Sequence, residues 1–311
     1  MNKKMVIGFA ALLLVCLFAG GAFAANFPAK MGITYVKAPL NVPSIVEKEL
    51  KLFEASFPGV ALSFPELTEG PKQTAALAAD EIAIASCLGS TSAILAASEG
   101  LDLKIVGIYS RAPKAFMIVV KNPSFKTVAD LKGKKVAGPK GTILHQLLAA
   151  ALASEGMGAK DIEFISMDLP SAASALANGS VDAALLAGPA AFNALSSGAQ
   201  MLRNGEGLVD ATIVIATTQN FLSRYPDTVA QFLNTHNKAL EWIEKNPDKA
   251  KAITQKETGL PAEGVDMMFP WYDFNPQIKA SDVEELKKTQ EFMLENGLQR
   301  KKIDISTLIV K

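Results

Sequence analysis

Cysteine and histidine are nearly missing from this chain, which has two of each in 311 residues. Cys16 lies in an N-terminal apolar stretch, so Cys87 stands alone in the rest. One cysteine cannot close an internal disulfide or build a zinc knuckle. His145 and His236 do not form the H-E-x-x-H pair of a metalloprotease helix. Charge of one sign is missing too. Thirty-one basic residues meet 31 acidic ones, so there is no basic field to attract nucleic acid. A G-x-S-x-G nucleophile elbow and a G-x-G-x-x-G fingerprint are both absent. Gly133 and Gly138 have P-loop separation, but Pro139 stands where the phosphate-binding lysine must be. No convergent acid–base or nucleophilic set can be assembled, so neither catalysis nor a cofactor or metal is expected. Beyond the N-terminal stretch no segment has the ~20 apolar residues that a bilayer requires.

The N-terminus carries the firmest positive signal. Lys3 and Lys4 precede the uncharged run Met5–Ala19, and Ala22-Phe23-Ala24 follows. A basic start, a short apolar core and an A-x-A site make a signal peptide over residues 1–24. An exported, periplasmic product is expected, starting near Ala25 or Asn26. Val15 before Cys16 is bulkier than a lipobox prefers, so lipid anchoring is not expected. Loss of Lys3 and Lys4 takes the basic count from 31 to 29 against 31 acidic residues, a net charge near −2.

Short apolar runs then alternate with helical periods. The runs Met31–Val36, Val60–Phe64, Ile82–Cys87 and Lys104–Tyr109 are separated by helical patterns at Ser44–Ala55, Pro71–Ala79 and Gly89–Ser98. A second series has strands at Lys135–Ala137, Ile162–Ile165 and Asp182–Leu185, with helices at Thr142–Ser154 and Ser171–Ala177. Thr127 and Asp130 read as a capping box opening a short helix, and Ser281 with Glu284 as another. Such alternation predicts βαβ units and mostly parallel sheets. The β-branched run Ala211–Thr217 carries the chain back to the first series, and the remainder is mostly helical. The helix holding Val229, Phe232, Leu233, His236, Leu240 and Ile243 has one apolar face. His236 on that face reads as a packed structural histidine, and Cys87 as a buried, inert thiol. The aromatic cluster Phe269–Phe274 is a core plug or a cleft wall, with the plug preferred.

Strand ends feed loops rich in Gly, Ser, Thr and Pro that open helices: 36–43, 87–92, 138–142 and 186–189. Ligands of open α/β sheets bind outside the carboxyl ends of strands, where helix N-termini favour anions. In the loop Gly138-Pro-Lys-Gly-Thr142 the glycines would let the backbone approach a ligand, with Thr142 capping the next helix. Lys37 and Arg111 are candidates for added positive charge.

These pieces resemble a known family. Ile33-Thr-Tyr35, Phe64–Pro71 and Ile82–Ser90 are similar in order to the nitrate/sulfonate/taurine group of ABC-transporter substrate-binding proteins. Thr127-Val-Ala-Asp-Leu-Lys-Gly-Lys-Lys-Val-Ala137 and Asn178-Gly-Ser-Val-Asp-Ala183 resemble that group more specifically. The chain departs from its sulfonate binders at Val36, where a polar residue is common, and at Ala187-Gly-Pro, where an aromatic step is usual. It also lacks the cysteine- and histidine-rich segment of the related pyrimidine-forming enzymes.

The resemblance implies a two-lobed α/β periplasmic-binding-protein fold of type II, with lobe one at 26–112 and 213–311 and lobe two at 113–212. It implies capture of a small anionic molecule in the cleft and delivery to an ABC-transporter membrane permease. The ligand contacts would be Lys37, Leu40, Asn41, Gly89, Ser90, Thr91, Gly141, Thr142, Gly188 and Pro189. A monomer is expected. A ligand-sensing receptor subunit and an enzyme on the same fold remain the alternatives.

Overall fold

The computed structural model describes residues 26–310, so the leader and Cys16 lie outside the described residues. Strand β1 (Lys30–Gly32) pairs in parallel with β2 (Ala61–Ser63). Strands β3 (Ile84–Gly89) and β4 (Leu103–Arg111) continue the first lobe. The second lobe holds β5 (Phe116–Val120), β6 (Lys135–Gly138), β7 (Glu163–Ser166), β8 (Ala183–Ala187) and β9 (Gln200–Asn204). Strand β10 (Thr212–Thr218) then returns to the first lobe, where it lies antiparallel between β3 and β4.

A parallel bridge between Ile33 and Ile84 sets the β1–β2 pair beside β3, and the Ala83 N–H donates to Gly32 O at 2.8 Å. The first lobe therefore runs β2-β1-β3-β10-β4, and the second runs β7-β6-β8-β5-β9. The two lobes share one plan: three parallel strands, one antiparallel strand delivered by a crossover, and a parallel edge. The chain passes from one sheet to the other between β4 and β5 and returns between β9 and β10. Central strands such as Ile84–Gly89 are buried at every position but the last because helices cover both faces.

Several expectations shift against the structure. Phe116–Val120 is an additional strand, buried at every position. Gly188–Ser196 is an additional helix. The helix expected over 44–55 starts at Val42, with Pro43 in its first turn, and breaks where Lys51 takes a left-handed φ of 51°. The C-terminal helix runs Ala280–Glu295, and the capping carboxylate is that of Asp282, not Glu284. It accepts the Lys279 N–H at 2.7 Å. Asp130 does act as expected, accepting the Thr127 N–H at 2.8 Å.

The long helix Pro226–Lys245 buries Val229, Phe232, His236, Ala239 and Ile243 against the first lobe. Phe232 stacks on Phe53 at 4.9 Å, and truncating a fully buried Phe of this kind costs about 3–5 kcal/mol. His236 is a packing residue: its Nδ1 lies 2.6 Å from Glu47 Oε1, and both side chains are buried. The aromatic cluster is a plug. Tyr272 stacks on Phe274, whose ring meets Tyr109 edge-on, and Trp271 packs against the cores of both lobes.

Candidate functional site

Six helices aim their N-termini at one small chamber between the lobes. They are Val42–Glu49, Gly70–Ala78, Ser90–Ser98, Ile143–Ser154, Leu169–Asn178 and Gly188–Ser196. Residues at or beside their starts line the chamber: Asn41, Glu69, Gly70, Gly89, Thr142, Leu169 and Ala187. First-turn N–H groups lack intrahelical acceptors and carry the positive end of the helix dipole. At five of the six starts no side chain caps them; only Asp168 does so, accepting from the Ser171 N–H at 2.8 Å.

The chamber has a volume of about 70 Å³ and includes Val36, Ala38, Cys87, Ser92 and Phe116 in its walls. Among the described residues its lining contains no Lys, Arg or His, and its one carboxylate there, Glu69, pairs with Lys72 at 3.2 Å. Asn41 is buried; its Nδ2 donates to Ala38 O, while its Oδ1 has no partner among the described residues. Burial pushes the Cys87 thiol up to about 12, so it stays protonated and unreactive.

A wider groove of about 910 Å³ adjoins the chamber. Ala38, Thr68, Glu69, Leu169 and Ala187 belong to the walls of both. One side of the groove comes from the first lobe (Lys37, Glu66–Glu69, Lys72), the other from Lys121 and the helices Leu169–Asn178 and Gly188–Ser196.

The ten residues expected at the site fall into three places. Asn41, Gly89 and Thr142 line the chamber. Lys37 and Pro189 line the groove, where Lys37 pairs with Glu66 at 3.4 Å. Leu40, Ser90, Thr91, Gly141 and Gly188 stand behind these walls. Thr91 Oγ1 donates to Gln146 Oε1 at 2.5 Å, and Gly141 O accepts from Ser92 Oγ at 2.7 Å, lobe to lobe. Gly188 (φ 56°) packs directly on the Pro39 carbonyl.

The 138–142 loop differs from its expected role. A β-carbon on Gly138 would strike the Leu185 side chain, so this glycine serves strand packing. Thr142 sits at the N-cap, but its hydroxyl donates to Pro139 O at 2.9 Å and leaves the helix start uncapped. His145, held neutral by burial and by nearby Lys140 with its pKa lowered to about 4, accepts the Gly141 N–H at Nδ1. Arg111 is not at the cleft. It forks onto Asp282 with two 2.6 Å bonds and reaches Asp273 at 3.1 Å. Ser92, inside the 87–92 loop but outside the expected contacts, also lines the chamber, and sequence reasoning passed over the helix starts at Glu69 and Asp168.

Residues 42–250 match a family model described as NMT1/THI5 like. The chain belongs to the NMT1/THI5-like family. A relative from Escherichia coli (strain K12), whose given name refers to the binding of aliphatic sulfonates, is 30% identical over 98% of this chain and 95% of its own length. The alkanesulfonate-binding protein SsuA from Xanthomonas axonopodis pv. citri, solved bound to MOPS, superposes with a TM-score of 0.85 at 28% identity. That match covers 92% of this chain and 99% of the other. The periplasmic aliphatic sulphonate binding protein SsuA from Escherichia coli gives 0.78 at 28% identity, covering 92% and 93%. This NMT1/THI5-like chain therefore has the two-lobed periplasmic-binding-protein fold of type II. It is a solute-binding protein and not an enzyme.

Proposed function

We propose that this is an exported, periplasmic protein that grips an organic anion of the sulfonate type by its head in the inner chamber. It then hands the ligand to the membrane permease of an ABC importer. The lobes that close on it are 26–112 with 213–311, and 113–212. The observation that carries the reading is the meeting of six helix N-termini on a chamber whose lining has no basic side chain among the described residues.

Backbone N–H groups and dipoles reward negative charge there without selecting a counter-ion partner. The starts come from both lobes, so the donors arrive from several directions. A sulfonate presents three acceptor oxygens in a pyramid and can accept from several directions at once; a planar carboxylate can satisfy fewer. The binding of sulfonates named for the relatives, and MOPS in the solved neighbour, support the same class. Asn41, Gly89, Ser92 and Thr142 are the side of the site that meets the head.

Isothermal titration of the leader-free protein with ethanesulfonate, propanoate and propanamide tests this. The sulfonate should bind most tightly, and the neutral amide should not bind. Binding of the amide in preference to both anions would overturn the reading, as would chemical turnover of any bound compound.

A further inference from the structure

We infer that Gln146 is a positioning residue for the anion site: from the second lobe it clasps the first, and so holds two helix starts together around the bound head. Among the described residues it stands outside the chamber's lining, so it sets how long an anion is held and not which anion is chosen. The inference rests on the anion site proposed above for its kinetic readout, and on the geometry alone for its distance readout.

Gln146 lies near the start of the second-lobe helix Ile143–Ser154, and its carboxamide reaches two threonines of the first lobe. Oε1 accepts from Thr91 Oγ1 at 2.5 Å, and Nε2 donates to Thr289 Oγ1 at 3.3 Å. Thr91 stands in the first turn of the helix Ser90–Ser98; Thr289 belongs to the C-terminal helix Ala280–Glu295, which packs beside it. All three side chains are at most 5% exposed. A carboxamide accepts at one end and donates at the other, so one residue can bridge both hydroxyls. Buried polar groups are costly when unpaired, and these three pair only when the lobes are together.

The clasp lies where closure needs it. Gly141 O accepts from Ser92 Oγ at 2.7 Å across the same boundary, and a β-carbon on Gly89 would lie 3.3 Å from the Ile143 side chain. The starts of helices 90–98 and 143–154 thus meet, one from each lobe, and no side chain caps either. Each start carries a partial positive charge of about half an elementary unit. Two such ends repel one another until an anion sits between them. The Gln146 bridge offsets that repulsion with bonds from protein to protein, which are the same whatever the anion.

The test uses the leader-free protein with ethanesulfonate and with propanoate. Stopped-flow rates are compared for the native chain, Gln146→Leu, the near-isosteric Thr91→Val, their double variant and Thr91→Ser. Each of Gln146→Leu and Thr91→Val should speed dissociation about fivefold or more, the worth of one such hydrogen bond, with association within about threefold of native. The double variant should dissociate more slowly than the product of the two single effects requires, because both remove one shared bond. Thr91→Ser keeps the hydroxyl and should restore near-native rates. The preference for sulfonate over carboxylate should be the same throughout. Native dissociation rates in both single variants, or a changed preference, would overturn the clasp. A second readout needs no ligand. Spin labels at Glu99→Cys and Glu155→Cys, exposed residues just past the far ends of the two helices, report the spacing of the lobes; Cys87 is buried and takes no label. The distance distribution should be broader in Gln146→Leu than in the native sequence, and equal distributions would overturn the clasp. Broadening in a protein that binds neither anion would instead overturn the proposed function and leave the clasp standing.

Discussion

Gly188 at the start of its helix rests on the carbonyl of Pro39, bringing backbone of one lobe onto backbone of the other. A β-carbon at Gly188 would fall on the Pro39 carbonyl itself, and the glycine's φ of 56° is left-handed. No rotamer relieves a clash between a β-carbon and a main-chain oxygen. Gly188→Ala should therefore hold the lobes apart, with an added strain of about 1 kcal/mol or more from the positive φ. Ligand affinity should fall at least tenfold, and small-angle scattering should show no contraction on adding ligand. Contraction equal to that of the native chain would refute the role of this contact.

Thr142 lines the chamber as an N-cap whose hydroxyl leaves the helix N–H groups free. Aspartate is at least as good an N-cap as threonine, so Thr142→Asp should keep thermal stability within about 1 kcal/mol. It puts a carboxylate at the proposed seat of the anion's head and should weaken sulfonate binding by about 3 kcal/mol, or roughly a hundredfold. Thr142→Ser serves as the control and should bind almost as the native chain does.

His145 makes stability depend on mild acid. Its folded pKa is about 4, lowered by burial first and by Lys140 second, against about 6.5 in an unfolded chain. Above pH 6.5 neither state is protonated and no penalty exists. As pH falls through 6.5 the unfolded chain takes up the proton first, so the fold loses about 2 kcal/mol by pH 5 from this residue. Urea titrations at pH 7 and pH 5 should show this loss in the native chain and a smaller one in His145→Leu. Protonation at Nδ1 would also remove the acceptor for the Gly141 N–H.

Arg111 binds Asp282 through two parallel bonds, fixing the end of β4 to the C-terminal helix. Arg111→Ala strands a carboxylate that is 5% exposed. The cost should be about 2–3 kcal/mol, below that of a fully buried pair because Arg111 retains some water contact. Burial alone would raise the Asp282 carboxyl, but hydrogen bonds from Arg111 and from the Lys279 N–H outweigh it and hold the group below its ordinary value. With the folded value depressed, the stabilisation is present above the unfolded value of about 3.9 and is lost as pH falls through the folded one. The variant's stability should therefore fall less steeply than the native chain's below about pH 4. Sulfonate affinity at pH 7 should be unchanged, since Arg111 is not at the cleft.

Much of the fold was legible because buried central strands are dense in apolar and β-branched residues: Ile84–Gly89 and Thr212–Thr218 need little context. Gln200–Asn204 was not legible, since an exposed edge strand has no hydrophobic pattern to read. Phe116–Val120 is apolar enough, but its place between β8 and β9 depends on partners about sixty to ninety residues away. The loops at Asn41, Gly89 and Thr142 announced themselves through glycine, proline and hydroxyl residues. Glu69 and Asp168 did not, because their contribution comes from where the closed lobes bring their helix starts together. Which residues face the chamber and which stand behind it is decided by contacts such as Ser92 with Gly141, invisible in either segment alone.

The position of β10 fixes an order of assembly. The second sheet uses only residues 116–204 and can close as soon as that stretch has been made. The first cannot, because β3 and β4 do not pair with each other and must wait for 212–218 to slot between them. Long-range closure of this kind is slow. A nascent chain therefore carries an unfinished N-terminal half with open strand edges until most of the polypeptide exists, the condition in which a chain can still be threaded through a pore.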